Sequence, residues 1–182
     1  MKIDELEKYL KNIKFDNYYV EATLQFNLLL KLASNYKKNI IFPERSIKHY
    51  NLTNSTNLTK KEIDIVLEHD NNIAIELKMP MNGQVPEQMF KFIEDIKFLE
   101  ELKSSGKFST CYLITVTNDN NFWGGKKQNG IYSFFRNCKK ITGKIYKPTG
   151  ENKNIKYHKI DGEYKIEWKI ISDDYKYFII QI

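Results

Sequence analysis

The chain has 182 residues and a mass of 21.7 kDa, with 29 Lys and Arg against 23 Asp and Glu, which gives a formal charge of +6. The 41% apolar and 14% aromatic content excludes a disordered chain and suffices for one domain with a hydrophobic core. Cys111 and Cys138 form no ligand-spaced cluster, which argues against structural zinc. The acidic first seven residues argue against a secretory signal, so we expect a cytoplasmic protein without membrane spans.

Apolar spacing predicts helices and strands over the first 119 residues. In chain order these are helices 3–13 and 16–36, strand 40–47, a hairpin of strands 62–68 and 72–79, a helix 86–105 and strand 110–117. Asp16 is the predicted N-cap of the second helix, and Lys91 and Asp95 are expected to form a pair on the solvent face of the third. This order predicts an α/β protein with helices packed on a mixed sheet.

The remaining residues are interrupted by Gly and Asn, and alternating apolar residues from Tyr164 onwards predict two or three C-terminal antiparallel strands. We therefore expect a single domain over 1–182, with a core at about 16–119 and a basic, β-rich extension at about 120–182. Three Asn-x-Ser/Thr triplets between Asn51 and Thr59 predict a polar loop whose role the sequence leaves open.

The predicted hairpin gathers polar side chains through the pairing of its apolar ones. Odd-numbered positions are apolar in both strands: Ile63, Ile65 and Leu67 in the first, and Ile73, Ile75, Leu77 and Met79 in the second. Because strand side chains alternate between faces, burying both sets on one face pairs odd residues with odd residues. Asp64 then lies opposite either Glu76 or Lys78 on the other face.

Two neighbouring carboxylates repel each other unless a cation lies between them. Mg²⁺ prefers such oxygen ligands and activates water towards a phosphodiester, while a lysine either orients or deprotonates that water or stabilises charge on the phosphate. The alternative is that Glu76 and Lys78 are ordinary outward residues of a half-exposed strand.

Asp64 together with Glu76-Leu77-Lys78 resembles the PD-(D/E)XK nuclease superfamily, and the resemblance covers roughly residues 16–119. It implies a restriction-endonuclease-like core of helix, three strands, helix and strand. It also implies that Asp64, Glu76 and the Leu77 carbonyl bind Mg²⁺, with Mn²⁺ as a substitute, and that Lys78 is the catalytic amine. A glutamate on the first core helix is common in this superfamily, and Glu21 matches that position.

The chain departs from the family pattern at Ile63, where the motif has proline, and it lacks the Gln and Tyr pair of the exonuclease-like branch around Gln88. Glu21 itself has two interpretations. It is either a site residue partnered by the metal or Lys78, or a helix-start acid favoured by the helix dipole with its tip in water.

The segment from Asn120 to Gly150 contains seven Lys and Arg residues and no Asp or Glu, so the rest of the chain carries −1. Such localised charge favours nucleic acid as the partner. The candidate DNA-binding residues are Lys126, Lys127, Gln128, Asn129, Arg136, Lys139 and Lys140. The loop from Phe122 to Asn129 either enters a groove of the nucleic acid or is an ordinary turn anchored by Trp123. Arg136 either clamps a phosphate or packs on the protein.

The resemblance therefore implies a Mg²⁺-dependent endodeoxyribonuclease, most similar to a type II restriction endonuclease that acts as a homodimer on double-stranded DNA. The alternatives are a Holliday-junction resolvase or repair nuclease of the same fold, and a non-catalytic DNA-binding module. RNA as the substrate stays open. The recognition sequence and the number of metal ions cannot be read from the residues.

Overall fold

A computed structural model describes residues 2–13, 15, 20–37, 40–52, 58–68, 71–80, 83–137, 139–172 and 174–182. Its α-helices are α1 (Ile3–Lys11), α2 (Glu21–Asn35), α3 (Val85–Ser104) and α4 (Tyr132–Arg136). The predicted N-cap Asp16 lies outside the described residues, and α2 begins at Glu21 after an extended Val20. No helix in these described ranges combines the length and the apolar character needed to cross a bilayer.

Six strands form one mixed sheet and two form a separate hairpin. The strands are β1 (Ile41–Ser46), β2 (Glu62–Leu67), β3 (Asn72–Lys78), β4 (Phe108–Thr117), β5 (Ile141–Tyr146), β6 (Tyr157–Tyr164), β7 (Lys169–Ile170) and β8 (Lys176–Gln181). The large sheet has the order β1-β2-β3-β4-β8-β7, and β5 pairs with β6. Only β3 and β4 are parallel among the pairings of the large sheet, with α3 as their connection. The predicted α/β class with a mixed sheet is confirmed.

The large sheet separates two hydrophobic layers. On one face, α1 through Leu6 and α2 through Leu24 share a layer with odd-numbered β3 residues such as Ile75. On the other face, α3, α4 and the β5–β6 hairpin share a second layer. Ile63 is an exception to the predicted pattern, because its side chain belongs to the α3 layer rather than the α2 layer. The odd-with-odd register is nevertheless observed, since Ile65 pairs with Ile75.

The C-terminal extension is less separate from the core than predicted. β8 pairs along β4 from Thr117 to Tyr112, and β7 continues the same sheet. Phe178 and Ile180 of β8 are buried in the α3 layer. The predicted core at about 16–119 therefore lacks one of the two strands that flank β4.

Candidate active site

The open end of the β2–β3 hairpin brings Asp64 and Glu76 together. The observed register, continued by one residue beyond the Ile65–Ile75 pair, places Asp64 opposite Glu76. The Leu77 amide donates a hydrogen bond to Asp64 Oδ2 at 2.7 Å, and the Asp64 amide lies 3.4 Å from Glu76 Oε1. Both carboxylates therefore contact the backbone of the facing strand at the same place.

Lys78 ends β3 beside these carboxylates. Its Nζ donates to the Leu77 carbonyl at 2.7 Å and lies 3.6 Å from Asp95 Oδ2 and 3.9 Å from Glu21 Oε1. The side chain is only 16% exposed. The ammonium group is therefore held on the protein by one carbonyl and two carboxylates.

Glu21 is the first residue of α2, and its Oε2 accepts a hydrogen bond from the Met79 amide at 2.8 Å. Its side chain is half-exposed and borders the same cleft as Lys78. Both interpretations of this residue thus describe part of its surroundings: it is a helix-start acid, and it is next to Lys78.

Two residues of the cluster were not predicted. Lys60 precedes β2, and its Nζ bonds Glu76 Oε2 and also Asp95 Oδ1, the latter at 2.9 Å. Asp95, expected on the solvent face of α3, is instead only 2% exposed. Because α3 is buried on almost every side, an acid near its middle needs partners from elsewhere in the fold, and Lys60 and Lys78 are those partners.

Burial dominates the electrostatics of this cluster. It raises the pKa of Glu76 well above the ordinary value, and repulsion from Asp64 and Asp95 adds to that effect while Lys60 opposes it. Burial likewise raises the pKa of Asp95, against the attraction of Lys78 and Lys60. For Lys78, burial alone would lower the pKa, but the carboxylates of Asp95, Glu21 and Asp64 together raise it. Lys78 is consequently an ammonium cation at neutral pH.

The oxygen donors of this cluster suit a divalent cation by their chemistry. Four carboxylates face two ammonium groups, so the cluster carries a formal charge of −2 when every group is ionised: Glu21, Asp64, Glu76 and Asp95 against Lys60 and Lys78. Asp95 Oδ2 is buried without a hydrogen bond. The Leu77 carbonyl has a second lone pair beyond the one that Lys78 occupies. Within the described part of the chain, no three His, Cys, Asp or Glu side chains are grouped for metal binding, so such a cation would also need carbonyl and water ligands.

A cleft of about 440 Å³ opens beside these residues, and we call it the carboxylate cleft. Its walls include Glu21, Lys60, Lys78 and Asp95 together with Gln88 of α3. Asp95 thus lines the cleft, whereas Asp64 and Glu76 are not among its lining residues.

The basic segment is held on the protein by its aromatic residues, and its predicted DNA-binding loop is exposed. Phe122 is buried, and the Trp123 ring lies 5.5 Å from that of Trp168. Lys126, Lys127, Gln128 and Asn129 are all exposed. Gln128 Nε2 donates to the Gly125 carbonyl at 2.7 Å, which ties its amide to the loop itself.

Arg136 packs on the protein, in agreement with the second interpretation of this residue. Its guanidinium donates to the backbone carbonyls of Lys127 and Asn121 and lies 4.3 Å from the centre of the Tyr132 ring. Gly125 has a φ of +103°, and a Cβ at that position would lie 3.1 Å from Arg136 Nη1. The loop therefore requires a glycine where it closes over the guanidinium.

The two last candidates of this segment differ in their surroundings. Lys139 Nζ lies 5.1 Å from the centre of the Phe134 ring, and its side chain is otherwise exposed. Lys140 forms an ion pair with Glu163 of β6. Lys139 is thus more available to an anionic ligand than Lys140.

No protein-family model matches this chain, and neither a curated protein nor a solved structure is significantly similar to it. The restriction-endonuclease-like fold and the functions that it implies are therefore proposals, supported by the residues and geometry above.

Proposed function

We propose that this protein is a metal-dependent endonuclease with a restriction-endonuclease-like core, and that its substrate is DNA. The observation that carries the proposal is the convergence of Asp64, Glu76 and Lys78 at one end of the β2–β3 hairpin, next to the carboxylate cleft, which Lys78 lines. The element order from α2 to β4 also agrees with the order expected for such a core.

In this proposal, Asp64, Glu76 and the Leu77 carbonyl would hold Mg²⁺ or Mn²⁺. When bound, the ion supplies an activated water and neutralises charge on the phosphate. Asp64 offers Oδ1 for this role, because that oxygen forms no hydrogen bond with a described residue while Oδ2 accepts from Leu77. Lys60 already pairs with Glu76, so a metal ion at Glu76 would compete with that ion pair.

Lys78 acts through its charge. Because its pKa is raised, it does not remove a proton from water at neutral pH; it lies beside the scissile phosphate and stabilises the negative charge that builds up there. Glu21 and Asp95 position the ammonium group from two sides. In the reaction, a water oxygen bonds to phosphorus and releases a proton to solvent, the bond to the leaving oxygen breaks, and the leaving oxygen takes up a proton from solvent.

A second candidate is a DNA-binding module without catalysis. It is favoured by the ion pairs of Lys60 and Lys78, which already provide partners for Glu76 and Asp95 without any metal. In that case the cluster stabilises the fold, and the basic segment alone carries the function.

Cleavage of supercoiled plasmid and of linear duplex, with Mg²⁺ and with EDTA, distinguishes the two. We expect Mg²⁺-dependent cleavage that Lys78→Ala lowers by about 10²- to 10³-fold, as for other residues that stabilise transition-state charge. Lys107→Ala, on an exposed lysine away from the cleft, is the matched control. DNA binding without cleavage across varied substrates would contradict the nuclease and support the binding module.

A further inference from the structure

A second cleft lies beside the first one, on the other side of the start of α3. It has a volume of about 530 Å³ and is lined by Lys127, Lys139, Lys144 and Lys153 together with Tyr146. We call it the lysine cleft. Pro86 lines the lysine cleft and Gln88 lines the carboxylate cleft. Two residues of helix correspond to a rise of about 3 Å, so the clefts are neighbours along α3.

The charge of the lysine cleft is not compensated. No Asp or Glu is among the described residues that line it, and none of its four lysines forms an ion pair with another residue in the described ranges. All four lysine side chains are exposed. Four ammonium groups without a carboxylate partner among the described residues, around one concave surface, favour a ligand with several phosphates, because each contact releases counterions.

Aromatic side chains form the apolar part of the same surface. Tyr146 is 44% exposed, and its ring centre lies 5.4 Å from that of Tyr157, which itself is 4.7 Å from Lys144 Nζ. An exposed ring between lysines matches the surfaces that bind single strands, where bases stack on aromatic residues and lysines hold the backbone.

The size of the cleft argues against a duplex inside it. A volume of 530 Å³ equals a sphere about 10 Å across, whereas the major groove alone of a duplex is roughly 12 Å wide and the whole duplex is wider still. An unpaired nucleotide fits in such a space, whereas a base pair with both backbones does not.

We propose that the lysine cleft binds an unpaired stretch of nucleic acid, with its phosphates on Lys127, Lys139, Lys144 and Lys153 and one base stacked on Tyr146. The choice of nucleic acid as the ligand rests on the proposed function. The substrate of the carboxylate cleft would then have a single-stranded or unpaired segment next to the cleavage point. Tyr146, Lys144 and Lys153 extend the binding surface beyond the seven candidate DNA-binding residues that the sequence indicated.

Binding without catalysis tests this inference. Fluorescence anisotropy in EDTA measures the Kd for a labelled single-stranded DNA of about 12 nucleotides, the same RNA, and the blunt DNA duplex. We expect Tyr146→Ala to weaken single-strand binding about tenfold and duplex binding by less than about twofold, because only unpaired bases can stack on the ring. Tyr146→Phe keeps the ring and should bind like the wild type.

The lysines are tested with a double variant, Lys144→Ala with Lys153→Ala. The control is a second double variant, Lys107→Ala with Lys165→Ala, which changes two exposed lysines outside the cleft. Only the first pair should weaken single-strand binding. A preference for DNA or for RNA supports the inference and identifies the ligand. The inference would be overturned if Tyr146→Ala lost equal affinity for single strands and for duplex, or if it kept its fold and lost no affinity.

The two proposals fail separately. Tyr146-dependent binding without Mg²⁺-dependent cleavage would contradict the nuclease and leave the lysine cleft in place. Cleavage that persists while both cleft variants bind single strands like the wild type would overturn the cleft assignment alone.

Discussion

Lys60 Nζ lies 2.9 Å from Asp95 Oδ1, which joins the segment before β2 to the middle of α3. The same ammonium group also bonds Glu76, so one cation serves two carboxylates that are almost completely buried. Ion pairs of this kind are costly to break from one side, because the remaining charges stay buried without a partner.

We therefore expect Lys60→Met to lower the free energy of unfolding at neutral pH by about 3 kcal/mol. Urea denaturation measures the change, and Lys61→Met, on the exposed neighbouring residue, is the control. A loss no larger than that of the control would mean that Glu76 and Asp95 find other partners.

The raised pKa of Glu76 predicts a specific dependence of stability on pH. Its ordinary value is 4.5, and the folded value is higher, so the folded state binds a proton that the unfolded state has lost. This contribution is complete below the unfolded pKa and is lost as the pH rises through the folded pKa. As the pH rises from about 5 to about 8, the unfolding free energy of Glu76→Gln should consequently fall less steeply than that of the wild type.

The matched control for this pH series is Glu62→Gln, on an exposed glutamate at the start of β2. Its unfolding free energy should follow that of the wild type across the range. Parallel curves for the wild type and Glu76→Gln would show that Glu76 does not titrate differently in the two states.

Divalent metal should stabilise the protein through Asp64. A ligand that binds only the folded state, and is present at a concentration of about 100 times its Kd, raises the unfolding free energy by about 2.7 kcal/mol. We expect Mg²⁺ to raise the Tm, with a larger effect at about pH 8 than at about pH 6, since protons on Glu76 and Asp95 compete with the metal. The shift should disappear in Asp64→Asn and persist in Glu62→Gln; equal shifts in both variants would place the metal elsewhere.

The exposed loop after Phe122 should contribute to DNA affinity mainly through charge. Replacing Lys126 and Lys127 by Ala removes up to two phosphate contacts, each worth about 0.9 in the slope of log K against log salt for duplex DNA. We expect a flatter slope and weaker binding for all duplex sequences, measured by anisotropy between low and moderate salt. An unchanged slope, with Lys107→Ala and Lys165→Ala as the reference, would exclude this loop from the interface.

The hairpin was the part of the site that the sequence could predict. Side chains alternate along a strand, so burying Ile65 and Ile75 on one face fixes where Asp64 and Glu76 lie on the other. This local rule needs no knowledge of the remaining fold. It failed at Ile63, whose side chain packs in the α3 layer although its residue number is odd.

Lys60 and Asp95 could not be found by the same reasoning, because their contact joins residues 35 positions apart. The helical spacing of Lys91 and Asp95 predicted that Asp95 lies on the surface, whereas the tertiary packing of α3 buries it. The apolar residues around most of the helix were the available signal. For Lys60, which stands in a polar segment before a strand, the sequence offered none.

The pairing of β4 with β8 has a consequence for synthesis of the protein. β4 carries residues of both hydrophobic layers, and residues 176–182 cover its second edge. While a nascent chain has emerged from the ribosome only as far as residue 175, that edge offers unpaired amides and carbonyls to any other extended segment. Protection of β4 from aggregation during translation thus depends on the arrival of a strand encoded about 60 codons later.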